Sequence, residues 1–85
     1  MYEVLIESSA ERDLKRLPKI ILDRIISDCK ALKENPRPAG SRKITDSRHD
    51  WRIRVGEYRI IYEIVDREKL VRIMYIKHRK DVYRK

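Results

Sequence analysis

Three arginines crowd the stretch Trp51-Arg-Ile-Arg-Val-Gly-Glu-Tyr-Arg-Ile-Ile-Tyr62. A guanidinium stays protonated at any physiological pH and presents a planar fork of donors that matches phosphate oxygens two at a time. Arg52, Arg54 and Arg59 could therefore clamp a phosphodiester and stabilise charge developing on it, but they make very poor bases. Metal chemistry has less support: Cys29, His49 and His78 show no zinc-site spacing, and a single cysteine forms no internal disulfide.

Whether the three arginines act together depends on strand register. Gly56-Glu57 lies between two alternating runs and suits a two-residue type II′ turn, with glycine at the first central position, where φ must be positive. Counting outward, Val55 opposes Tyr58, Arg54 opposes Arg59, Ile53 opposes Ile60, Arg52 opposes Ile61 and Trp51 opposes Tyr62. Directly opposed residues share a face. Trp51, Ile53, Val55, Tyr58, Ile60 and Tyr62 then face the core, and Arg52, Arg54 and Arg59 face away from it. Like charges directly across a ladder are destabilising by up to about 1 kcal/mol, so Arg54 beside Arg59 breaks a local rule. Such positions are candidates for function, and a bound phosphate would relieve the repulsion. The plain alternative is a solvated basic face.

A four-residue connection, Asp66 to Lys69, leads to a third run, Leu70 to Lys77, and pairs Val65 with Leu70, Glu63 with Arg72, Tyr62 with Ile73 and Ile61 with Met74. Strict alternation places Val71, Ile73 and Tyr75 on the core side, and Leu70, Arg72, Met74 and Ile76 on the arginine side. Glu63 and Arg72 form an opposed, structural ion pair. Ile61, Val65, Leu70, Met74 and Ile76 would be unusual if left permanently wet, so this face is expected to receive a partner.

Upstream, Tyr2 to Glu7 alternates as a strand. Ser8 or Ser9 can cap a helix carrying Ala10, Leu14 and Leu17, which ends at Leu17-Pro18. A longer helix carries Leu22, Ile25, Ile26, Cys29 and Leu32 on one stripe until Asn35-Pro36. Cys29 is expected in the core. Residues 36–50 form a basic loop with a short strand near Ser41 to Ile44. The fold class is α+β: an N-terminal strand and two helices packed on one face of a mainly antiparallel sheet that ends in a three-stranded meander.

At 85 residues the chain is expected to form one domain over 1–85. Its formal charge is +8, of which residues 51–85 contribute +6 and residues 1–50 only +2. That bias favours an anionic partner such as RNA, DNA or an acidic protein. No apolar run approaches the roughly 20 residues of a membrane-spanning helix, and the acids within Met1-Tyr-Glu-Val-Leu-Ile-Glu7 argue against a secretory signal. A cytoplasmic location without membrane association is expected.

The order strand, two helices, basic loop and meander, with the run 51–62 followed by His78-Arg-Lys-Asp-Val-Tyr83, resembles the RelE/ParE superfamily of type II toxin-antitoxin toxins. The resemblance covers nearly the whole chain and is greater to the RelE branch. It implies a toxin that inhibits translation by cutting messenger RNA in the ribosomal A site, without metal or other cofactor, and that is neutralised by a cognate RelB-like antitoxin. The reaction it implies is attack of a ribose 2′-hydroxyl on the adjacent phosphorus, leaving a 2′,3′-cyclic phosphate and a 5′-hydroxyl. The family pattern falls here on Arg52, Arg54, Arg59, Arg79 and Tyr83.

Better-known RelE toxins carry lysines where Arg52 and Arg54 stand, which argues against a lysine-type base at those two positions. The proton carriers left by this reading are Tyr83, near the 2′-hydroxyl or stacked on a base, and His78, as acid to the leaving 5′-oxygen. Each has a structural alternative, Tyr83 as a tail anchor and His78 as a surface residue. Two rival functions stand beside this one: a ParE-like inhibitor of DNA gyrase, and a non-catalytic RNA- or protein-binding module.

Overall fold

The computed structural model describes residues 1–47 and 49–82 of the chain. The elements run β1 (Glu3–Ile6), α1 (Ser8–Leu14), α2 (Lys19–Ala31), β2 (Arg42–Lys43), β3 (Asp50–Val55), β4 (Tyr58–Val65), β5 (Leu70–His78) and α3 (Arg79–Val82), with a single 3₁₀ turn at Asp66–Glu68. The described strands form one five-stranded sheet in the order β1-β5-β4-β3-β2. β1 lies parallel to β5, and the other pairings are antiparallel. This is the expected α+β architecture.

Gly56 fixes the β3-β4 hairpin. Its φ is +60°, while Glu57 is not among the positive-φ residues, as a type II′ turn requires. The pairs that follow are those counted from the turn, from Val55 with Tyr58 to Trp51 with Tyr62. Lys69, at φ +50°, closes the next connection and aligns Val65 with Leu70, Glu63 with Arg72 and Tyr62 with Ile73.

One residue later the expected register fails. Ile61 pairs with Tyr75, not Met74, because a bulge inserts Met74 opposite the Ile61/Tyr62 step. Every side chain beyond it changes face. Ile76 pairs with Ile60 in the core and is only 4% exposed, whereas Tyr75 emerges on the arginine side at 39%. Both placements reverse the sequence expectation. The bulge lies where β5 outruns β1, and α1 supplies partners for the backbone there. Ser9 Oγ donates to the Met74 carbonyl at 2.6 Å, and the Ile76 N–H donates to Asp13 Oδ2 at 3.0 Å. Ser9 therefore does not cap α1; Glu7 holds the N-cap position, and no side chain caps it.

The core gathers Ala10 and Leu14 from α1, Ile25 and Cys29 from α2 with Leu32 just after it, and Ile53, Val55, Ile60, Tyr62, Ile64, Val71, Ile73 and Ile76 from the sheet. Burial pushes the Cys29 thiol up to about 12, as befits a packing residue. Tyr62 is fully buried, its hydroxyl donates to the Pro36 carbonyl at 2.7 Å, and burial raises its pKa to about 12. No described helix is long and apolar enough to cross a membrane.

Candidate nucleic-acid interface

The sheet face opposite the core carries the candidate site, and pairing organises it into rows across the strands. Arg54, Arg59 and Lys77 form one row over β3, β4 and β5. Arg42, Arg52, Ile61 and Tyr75 form the next, over β2 to β5. Neighbouring strands lie about 4.8 Å apart, so each row sets cations at spacings where they repel in the absence of an anion. A cavity of about 170 Å³ opens among Gly40, Arg42, Arg52, Ile53, Arg54 and Arg59. Arg52, Arg54 and Arg59 thus share one recess, and Arg54 Nε donates to the Gly56 carbonyl at 3.2 Å, which holds that guanidinium toward the turn.

Two cations of this face were not singled out in the sequence. Arg42 belongs to a two-residue strand, too short to give a pattern, and its role emerges only from its pairing with Arg52. Lys77 reaches the face through the bulge, and its ammonium lies 5.1 Å from the Tyr75 ring centroid.

The tail candidates separate. Arg79 begins α3 beside the hairpin tip, where its N–H donates to the Glu57 carbonyl at 2.7 Å and its guanidinium lies 3.7 Å from the Glu57 carboxylate. It therefore borders the arginine row. His78 does not. It pairs with Tyr58 on the core side, meets that ring edge-on at 5.0 Å between centroids and lines a separate cavity with Asp13, Arg16 and Leu17. Its Nδ1 accepts from the Lys80 N–H at 3.1 Å. Strict alternation would carry His78 to the arginine side, and the same bulge turns it away. Tyr83 lies outside the described residues.

The apolar part of the face is smaller than expected. Ile76 is in the core, and Leu70 is only 7% exposed because its strand lies between two others, with Val65 on one side and Glu3 on the other. Ile61, Val65 and Met74 remain half-exposed, joined by Tyr75 and by Leu5, which is 40% exposed and in register with Arg72.

Beyond this apolar strip, charges meet opposite charges. Arg72 lies 3.2 Å from Glu63, the expected pair, and 3.3 Å from Glu7. Past the face, Arg37 grips Asp66 with both terminal nitrogens, at 2.8 and 3.2 Å, and lies 5.1 Å above the Trp51 ring; the Tyr2 hydroxyl donates to the same carboxylate at 2.7 Å. The hydrogen bonds from Arg37 and then Tyr2 hold the Asp66 pKa down to about 2.

A profile describing the ParE toxin of the type II toxin-antitoxin system parDE matches residues 4–83. Toxin RelG of Mycobacterium tuberculosis is 32% identical over 85 residues, spanning 99% of this chain and 98% of its own. Toxin RelE of the same organism is 34% identical over 84 residues, spanning 98% and 87%. Among solved structures, the archaeal RelE-RelB complex from Pyrococcus horikoshii OT3 superposes with a TM-score of 0.82 at 28% identity, covering 92% of this chain and 94% of the matched one. The RelBE2 toxin-antitoxin complex of M. tuberculosis gives 0.81 at 28%, covering 91% and 96%. The isolated E. coli RelE toxin, at 16% identity and a TM-score of 0.80 over 92% of this chain and 84% of its own, shares the fold.

Proposed function

From the premise that the chain belongs to the RelE/ParE superfamily of type II toxin-antitoxin toxins, on its RelE-like side, we propose that it is an endoribonuclease that cuts ribosome-bound messenger RNA and so inhibits translation. The observation that carries this reading is the cation row Arg54-Arg59-Lys77 beside the arginine-lined recess. Five cations on one sheet face suit a scissile phosphate and its neighbour.

In-line attack by a 2′-hydroxyl needs the nucleotide held, the phosphorane charge stabilised, one proton removed and one supplied. Arg52, Arg54 and Arg59 do the first two, with Arg42 in the same recess and Arg79 held against Glu57 at the hairpin tip. Lys77 sets an ammonium opposite Arg59 in the same row, and it serves as acid to the leaving 5′-oxygen in place of His78, which faces away. Tyr83 acts at the 2′-hydroxyl.

The test is the purified toxin on ribosomes programmed with message, with cut ends mapped by primer extension and their end groups identified. A 2′,3′-cyclic phosphate and a 5′-hydroxyl are expected, with Arg59→Ala slower by on the order of 10² to 10³. Uncut message, or Arg59→Ala and Tyr83→Phe both cleaving at the parental rate, overturns the reading. Because the matching profile is named for ParE, gyrase inhibition is the second reading, and trapped cleaved DNA in a supercoiling assay would support it in place of the first.

The partner fits a RelB-like antitoxin, acidic and leucine-bearing, in the cytoplasm. Several of the matched structures are RelB-RelE toxin-antitoxin complexes, which supports a partner of that kind. Such a partner would cover Ile61, Val65 and Met74 together with the arginines. Its affinity falls with salt and falls again in Met74→Asp; an affinity insensitive to both would put the partner elsewhere.

A further inference from the structure

We infer that Tyr75 is a stacking platform for one base of the bound RNA strand, a role that rests on the nuclease reading and extends it. Tyr75 is the aromatic side chain of the second cross-strand row, in line with Arg42, Arg52 and Ile61. It is among the exposed large hydrophobic residues at 39%, although sheet alternation without the bulge would have buried it. The bulge that exposes it is built and supported: Ser9 and Asp13 satisfy the backbone on either side of Tyr75, at Met74 and Ile76.

The company Tyr75 keeps commits it to a nucleic acid and not to an apolar peptide. Lys77 lies 5.1 Å from its ring centroid, and Lys77 pairs with Arg59, whose row is the phosphate clamp. A single strand presents phosphates and bases a few ångströms apart, so a phosphate on Arg59 and Lys77 leaves its adjoining base within reach of the ring two residues back along β5. Alternating cations and an aromatic face are the pattern by which proteins hold unpaired strands, each stacked base contributing to affinity without hydrogen-bonded readout. Ile61, directly opposite Tyr75, supplies the apolar floor on which the base edge rests.

The experiment uses the full-length chain and a short single-stranded RNA carrying 2-aminopurine, whose fluorescence is quenched on stacking. The parent protein is expected to bind and quench. Tyr75→Ala is expected to bind roughly 5- to 150-fold more weakly and lose the quench, while Tyr75→Phe keeps both. The inference is overturned if the parent does not quench, if Tyr75→Ala quenches like the parent, or if Tyr75→Phe loses as much as Tyr75→Ala. It is equally overturned if Tyr75→Ala weakens only antitoxin binding, which would give the ring to a protein partner. The two readings fail separately: a parent that quenches the probe yet leaves ribosome-bound message whole keeps the platform and loses the nuclease. A parent that cuts message while Tyr75→Ala quenches normally keeps the nuclease and loses the platform.

Discussion

Arg72 lies between Glu7 and Glu63, and Arg37 is held by both oxygens of Asp66, whereas at the hairpin end of the same sheet Arg54 opposes Arg59 and Arg42 opposes Arg52. The first region matches each of these guanidiniums with carboxylates, and its chemistry is spent within the fold. In the second, cation faces cation in two successive rows, an arrangement that folding alone does not favour. On the function proposed above, the difference separates arginines that hold the fold together from arginines offered to a phosphate, in a chain where composition makes them look alike.

The contrast breaks most visibly if the second region turns out to matter for stability. Arg54→Ala is expected to slow message cleavage by on the order of 10² to 10³, yet to leave the thermal midpoint unchanged or raise it, since relief of the opposed charge is worth up to about 1 kcal/mol. A clear drop in midpoint would place Arg54 in the framework. Next in size is the α1 support of the bulge. Asp13→Ala leaves the Ile76 N–H without its acceptor and is expected to destabilise by about 1 to 3 kcal/mol in urea unfolding.

Arg72→Met should show the opposite profile to Arg54→Ala. The two half-exposed pairs it dissolves are worth roughly 0.2 to 1 kcal/mol each, and cleavage by the folded protein should not change. The smallest effect sharpens the comparison by pH. Asp66 has a folded pKa of about 2 against an ordinary 3.8, so its contribution is full above the ordinary value and is lost as pH falls toward 2. Asp66→Asn should flatten that part of the stability curve, read by urea unfolding across the acid range. An unchanged acid limb would mean the Arg37 clamp contributes nothing.

Much of this was legible in the sequence because particular residues allowed a single solution. Gly56-Glu57 admits one tight turn, and from it the pairing of Arg54 with Arg59 follows without further information. The helix stripe at Ile25, Cys29 and Leu32 reads directly as core. Past Ile73 the pattern loses its power to decide. Met74, Tyr75 and Ile76 are all apolar, so either alternation satisfies burial, and the residues that choose between them, Ser9 and Asp13, are more than sixty positions away in the chain. The same ambiguity misplaced Ile76, Tyr75 and, beyond them, His78, and it hid Lys77. Arg42 stayed hidden because two residues are too few for a period to show.

The extra residue at Met74 makes the interface a matter of parity. Pairing Met74 regularly in place of bulging it would exchange what this edge shows to solvent for what it hides, sending the ring and the ammonium inward and a histidine outward with no change in composition, whereas a chain lacking that residue would keep both sides by plain alternation. Adding a pair would leave the two sides as they are. Relatives should therefore be compared along this strand by which side each residue occupies before they are compared by identity, since the same letters with and without the bulge face opposite surfaces.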